Sequence, residues 1–308
     1  MQGVEMSWQC SPPYARPILW LYLAVDIAYR RYWMNHARAD ASVVRCSGAT
    51  VSLHRRAFVQ WAAATLAIAS PVAARAQSPT ALTVAAASDL KFALEEVGVI
   101  FERQTGYKVR LVLGSSGNFY SQILQGAPFH VFMSADEGFV FKLADAGKTR
   151  DRGRLYAYGR IGIMVPHGSP LKADGSLKDL GAALRDGRLK KFAIANPEHA
   201  PYGMRAREAL QHAGLWSEIQ PFLVLGENIS QTAQFATSGS TQGGIIALSL
   251  ALAPQVARTG SFDLIPAQWH QPLAQRMAVI TGAPPQADAF YDFIASPAAQ
   301  AIMKRYGS

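Results

Sequence analysis

From residue 82 to residue 306, short runs of aliphatic and β-branched residues alternate with helix-length segments. That alternation admits few architectures other than an α/β fold built on mostly parallel sheets. Strands are expected over 82–85, 109–113, 131–133, 161–165, 191–194 and 278–280. Helices are expected over 90–104, 119–125, 138–146, 177–185, 202–213, 232–238 and 287–306, with a Gly- and Arg-rich loop before the strand at 161.

Two of the strands end in serine turns, Ala85-Ala86-Ala87-Ser88-Asp89 and Gly114-Ser115-Ser116-Gly117-Asn118, and each turn opens a helix. A helix N-terminus presents unpaired N–H groups and the positive end of the helix dipole, and a serine adds a hydroxyl donor. Two such turns facing one cleft would cradle an anion. The competing reading is local, with Ser88 and Ser116 serving only as helix N-caps.

Residues 51–76 read as a signal peptide: Arg55-Arg56, a short apolar stretch from Trp61 to Ala69, then the small-residue cleavage site Ala74-Arg75-Ala76. Cleavage there starts the mature chain at Gln77, and the paired arginines resemble a twin-arginine export signal. Residues 1–50, which hold both cysteines (Cys10 and Cys46), read as an extension outside the working protein, with translation starting at Val51 or a nearby codon. The rival reading is a membrane anchor at 18–29, which is short and carries Asp26. Residues 1–76 contain 8 of the 30 Lys and Arg and 3 of the 21 Asp and Glu, which leaves 22 against 18 and lowers the net charge from +9 to +4. The basic character that would favour a nucleic-acid partner is therefore partly a property of the leader.

Enzyme signatures fail on inspection. Gly147-Lys148-Thr149 resembles the end of a phosphate-binding loop, but Lys142 stands where that loop requires glycine. The mature chain has no cysteine, and its histidines (His130, His167, His199, His212, His270) lack metal-ligand spacing.

An ordered set of motifs carries a resemblance across residues 82–307. It comprises Ala85-Ala86-Ala87-Ser88, Gly114-Ser115-Ser116-Gly117, Gln125-Gly126-Ala127-Pro128 running into Met133-Ser134-Ala135-Asp136, Asn196-Pro197-Glu198-His199-Ala200-Pro201-Tyr202-Gly203, and Lys304-Arg305-Tyr306-Gly307. In these the chain resembles the periplasmic molybdate-binding proteins of ATP-driven (ABC-type) uptake transporters. The resemblance implies a periplasmic-binding-protein fold of type II, two α/β lobes joined by two β-strand crossovers with the ligand in the cleft. The first lobe would comprise 77–160 and 278–308, and the second 161–277. It further implies a monomeric, non-enzymatic, periplasmic protein that binds molybdate or tungstate, needs no cofactor, and delivers its ligand to a membrane permease.

Carried over residue by residue, the family site puts hydroxyl donors at Ser88 and Ser116 and backbone N–H donors at Tyr202 and Ile229; Asp89 would contribute only its N–H. All would meet oxygens of the oxyanion, and none would coordinate molybdenum itself. Two departures stand out: Ala247 replaces a tyrosine whose hydroxyl reaches the ligand in many members, and His130 replaces an acidic residue after Gly-Ala-Pro-x. A site made only of donors would accept a bare dianion and penalise a protonated oxyanion, whose O–H would lack an acceptor. The same fold serving sulfate, an organic anion or an amino acid stays open, with Arg160 and Arg205 available as a carboxylate clamp. A periplasmic enzyme using the cleft is the remaining alternative.

Overall fold

The computed structural model describes residues 81–307; the expectations for the extension and the signal peptide fall outside them. Two five-stranded sheets organise the chain. The first contains β1 (Leu82–Ala87), β2 (Val109–Gly114), β3 (Val131–Ser134), β4 (Arg154–Gly159) and β10 (Leu273–Val279), in the order β2-β1-β3-β10-β4. The second contains β5 (Ile161–Pro166), β6 (Phe192–Ala195), β7 (Leu223–Gly226), β8 (Gly244–Ala247) and β9 (Gly260–Leu264), in the order β7-β6-β8-β5-β9.

Each sheet has a parallel half, and in each the strand that arrives across the hinge pairs antiparallel with both of its neighbours. In the first sheet this is β10 against β3 and β4; in the second it is β5 against β8 and β9. The chain therefore crosses between lobes twice, at Gly159-Arg160-Ile161 and between β9 and β10. This is the two-lobe binding-protein architecture of the second type.

The helices pack on these sheets. They are α1 (Lys91–Thr105), α2 (Ser116–Leu124), α3 (Glu137–Asp145), α4 (Lys178–Arg185), α5 (Pro201–His212), α6 (Trp216–Ile219), α7 (Ile229–Thr237), α8 (Leu248–Ala251), α9 (Pro254–Ala257), α10 (Gln286–Ile294) and α11 (Pro297–Arg305). Ala93, Leu94, Val97 and Phe101 form the buried stripe of α1, spaced as a helix face requires. They meet Leu82 and Val84 from β1 and Phe290 and Ile294 from α10 in the core of the first lobe. The core of the second lobe is built around Ile161, Ile163, Phe192, Ile194 and Ile245.

Four differences from the sequence expectations have local causes. The closing helix is two helices, because Ser296 accepts from Ala299 N–H as an N-cap and Pro297 starts a new first turn. Within the Gly- and Arg-rich loop lies β4, an edge strand on which Arg154 and Tyr158 face solvent. A further strand, β9, forms the opposite edge of the second sheet with Ser261, Asp263 and Leu264 exposed. The return to the first lobe begins at Leu273 rather than 278, since β10 includes Gln275 and Arg276, polar residues that mask a strand in the sequence. Gln275 is nevertheless fully buried, and Arg276 pairs with Glu137 at 2.9 Å.

Candidate oxyanion site between the lobes

A small cavity lies between the lobes, lined by Ser88, Asp89, Ser115 and Ser116 from the first and by Ala200, Pro201, Tyr202 and Ile229 from the second. All five residues singled out from the sequence (Ser88, Asp89, Ser116, Tyr202 and Ile229) thus line one enclosure. Three helix N-termini converge on it. Ser116 is the first residue of α2, Pro201 and Tyr202 open α5, and Ile229 opens α7. A short 3-10 turn, Ser88–Leu90, carries Ser88 and Asp89 in from the end of β1.

Helix first turns leave N–H groups without helical acceptors, and here many of them are supplied from elsewhere. In α2, Gly117 N–H donates to His199 O at 3.0 Å across the cleft, and Asn118 N–H donates to Ser115 Oγ at 3.3 Å. In α7, Ser230 N–H donates to Ser88 Oγ at 3.1 Å and Gln231 N–H to Asn228 Oδ1 at 3.0 Å. The N–H groups of Ser116, Tyr202 and Ile229 take no partner among the described residues. Donors that line the cavity are the ones left over, and they sit at positive helix ends.

The N-cap reading of the serines is not what the structure holds. Ser115, not Ser116, caps α2, and the 3-10 turn at Ser88 has Ala87 at its cap position with no side-chain bond. Ser116 is fully buried, and its Oγ accepts from Ala135 N–H at 3.0 Å, which leaves its own O–H to donate. Ser88 Oγ donates instead across the cleft to Asn228 Oδ1 at 3.1 Å, while Ser230 Oγ donates to Ser88 O at 2.7 Å. Ser115 Oγ lies 2.8 Å from His199 Nδ1, and Asn118 Nδ2 donates to Glu227 Oε1 at 2.6 Å. These pairs tie the lobes together around the cavity. Gly117 allows the approach, since a Cβ there would stand 2.5 Å from His199 O.

Asp89 belongs to a buried side-chain network of its own. Its side chain is 2% exposed, and Oδ2 accepts from Tyr202 Oη at 3.0 Å and from Gln275 Nε2 at 2.8 Å. Burial pushes its pKa from 3.8 up to about 6, against the lowering effect of those two hydrogen bonds and of its own N–H. The hydroxyl of Tyr202 is held well above its ordinary pKa, first by burial and then by the adjacent Asp89 carboxylate. A carboxyl group as well as donors is thus carried by the residues that line the cavity. Asn228, Ser115 and Gln275 were also not singled out from the sequence. The Asn at the start of a helix was the one legible signal, for Asn228.

Among the described residues, no lysine or arginine lines the cavity. Arg205 lies 3.4 Å from Glu208 and 3.9 Å from Asp136, and Arg160 sits in the first crossover, where its carbonyl accepts from Leu248 N–H. Neither arginine of the clamp that an organic carboxylate would need is among the described residues of the lining. Ala247 is fully buried at the end of β8 and does not line the cavity either. His130 Nδ1 accepts from Thr83 N–H at 3.0 Å, a structural bond at the flank of β1.

Residues 82–308 match the model of a family described as bacterial extracellular solute-binding protein. A molybdate-binding protein of Rhodobacter capsulatus is 35% identical over 215 residues, covering 69% of this chain and 82% of its own. One from Azotobacter vinelandii is 33% identical over 245 residues, covering 79% and 95%. Among solved structures, the periplasmic molybdate-binding protein of Azotobacter vinelandii superposes with a TM-score of 0.66 at 30% identity, covering 73% of this chain and 97% of that one.

Proposed function

The chain belongs to the bacterial extracellular solute-binding proteins and, within them, to the molybdate-binding family, and from that membership we propose that its interlobe cavity captures molybdate, and tungstate with it, for delivery to the permease of an ABC transporter. It is a binding protein and not an enzyme. The observation that carries the proposed site is the convergence of three helix N-termini on a cavity where, among the described residues, each has an unclaimed N–H and no basic residue joins the lining.

A dianion removed from water needs several charge-assisted hydrogen bonds, each worth about 1.5–3 kcal/mol. Ser116 supplies an O–H and an N–H, and Tyr202 and Ile229 supply N–H groups from the second lobe. Ser88 supplies a hydroxyl once it turns from Asn228. Because the donors come from both lobes, the full set exists only when the lobes meet, so ligand and closure stabilise one another. The closed surface is then a shape the permease can distinguish from the open one. Molybdate, tungstate and sulfate carry the same charge, so the size of the donor ring separates them.

Family membership places this work outside the cytoplasm. We read residues 51–76 as the cleaved signal that takes it there, with paired arginines that resemble a twin-arginine signal. Calorimetric titration with molybdate, tungstate, sulfate, phosphate and chromate tests the assignment. The expected result is one molybdate or tungstate bound per chain with much weaker binding of the rest. Stronger binding of sulfate or of an organic anion would overturn it.

A further inference from the structure

The geometry points to Asp89 as a proton-sharing partner of the ligand: the site takes up one proton with the oxyanion and releases it with the oxyanion. This rests on the cavity being the oxyanion site. Asp89 lines that cavity; Tyr202 and Gln275 both donate to Oδ2, while Oδ1 is buried and, among the described residues, takes no side-chain donor. Gln275, which donates to Oδ2, leaves its own Oε1 buried without a donor as well. The network thus holds more acceptors than protons.

Among the described residues no lysine or arginine lines the cavity or bonds to Asp89; Arg160, in the crossover after β4, has its Nε buried without a hydrogen-bond partner. From α5 comes Tyr202, from β4 Tyr156, from β10 Gln275, and from α8 Ser249, whose hydroxyl donates to Asp89 O at 2.9 Å. Both tyrosines have their pKa raised well above the ordinary value, chiefly by burial, and so remain neutral. The side chains from α2 and α7 nearest the cavity, Ser115, Ser116, Asn228 and Ser230, are uncharged. The cations carried on the same elements are engaged elsewhere: Arg205 with Glu208 and Asp136, Arg276 with Glu137. On α1, the Lys91 ammonium lies over the Phe92 ring.

A dianion entering beside the ionised carboxylate meets a like charge across a few atoms of low-dielectric interior. The relief that needs least rearrangement is one proton from solvent. The proton leaves a hydronium ion or buffer acid, an O–H bond forms at the carboxyl with no change of oxidation state, and the acid then donates to an oxyanion oxygen. A hydrogen oxyanion facing the carboxylate would have the same stoichiometry. Burial has already moved the group part of the way, to a pKa of about 6 before any ligand is present. Above that pH, affinity should fall by about tenfold per pH unit until the pKa of the bound state is reached.

The test is titration calorimetry of the exported protein with molybdate at one neutral pH in buffers of different ionisation enthalpy, followed by a pH series. The expected result is uptake of close to one proton per molybdate, with that slope. Asp89→Asn should abolish both the proton uptake and the slope. Tyr202→Phe, which removes a donor to the carboxylate, should move the onset of the slope to higher pH. Tight molybdate binding with a buffer-independent enthalpy and a flat pH profile in the wild-type protein would overturn the proposal and leave the oxyanion site standing. No molybdate binding at any pH would overturn both.

Discussion

Ser116→Ala is the substitution whose consequences divide most cleanly. The hydroxyl has two roles: its oxygen accepts from Ala135 N–H at 3.0 Å, and its proton is left for the ligand. Removing a hydroxyl donor to a buried charge costs about 1.5–3 kcal/mol, or roughly ten- to hundredfold in affinity. Loss of the acceptor leaves Ala135 N–H unpaired in the interior, a cost of about 1–3 kcal/mol to the fold whether or not ligand is bound. The helix itself should be unaffected, because Ser115 is the residue that caps α2. Molybdate affinity by calorimetry and the melting temperature of the ligand-free protein, measured on the same preparation, separate the two contributions. Lower melting with unchanged affinity would refute the donor role and leave the serine structural.

Further outcomes follow from the same geometry. Ser88→Ala should weaken molybdate binding less than Ser116→Ala, because its hydroxyl must leave Asn228 Oδ1 before it donates; an equal or larger loss by calorimetry would contradict this. Gly117→Ala would set a Cβ 2.5 Å from His199 O and hold the lobes apart, so affinity should drop by roughly tenfold or more while ligand-free melting changes little. The folded pKa of Asp89 is raised, so its contribution to stability is fully present below its unfolded value of 3.8 and is lost as pH rises through about 6. At neutral pH that loss is on the order of 3 kcal/mol, from a shift of about two units. Asp89→Asn should therefore gain stability relative to the wild type between acid and neutral pH in denaturant titrations of the ligand-free protein; Glu96, Glu102, Asp174 and Asp186, whose lowered pKa values act in the opposite direction, are common to both and cancel. A lining with no basic residue among the described ones predicts that affinity responds weakly to added chloride, and a steep response would implicate an exposed cationic site instead.

How much of this was legible in the sequence varies residue by residue. The lobe cores were, because apolar runs such as Leu82–Ala87 and Ile161–Pro166 are buried throughout or nearly so and declare themselves as strands. The edge strands β4 and β9 were not, since alternating exposure leaves Arg154, Tyr158 and Asp263 looking like loop residues. At the site, Ser116 follows a strand end and opens a helix, which local pattern shows, whereas Tyr202 and Ile229 look like ordinary helix starts and are singled out only by the family resemblance. Which of two adjacent serines caps α2 is a matter of one residue in register, and composition cannot decide it. The Asp89 network was beyond reach for a different reason: its partners Tyr202 and Gln275 lie 113 and 186 residues away, Tyr202 reaching the carboxylate from the second lobe and Gln275 from the strand β10 that returns to the first sheet.

The central claim is that one oxyanion sits where α2, α5 and α7 begin, and a crystal structure of the protein grown with molybdate, phased at the molybdenum absorption edge, tests it directly. The account predicts a single strong anomalous peak among Ser88, Ser116, Tyr202 and Ile229, with oxygens toward their hydroxyl and N–H groups and no lysine or arginine in contact. A molybdenum peak at any other place in a protein that binds molybdate tightly would contradict it.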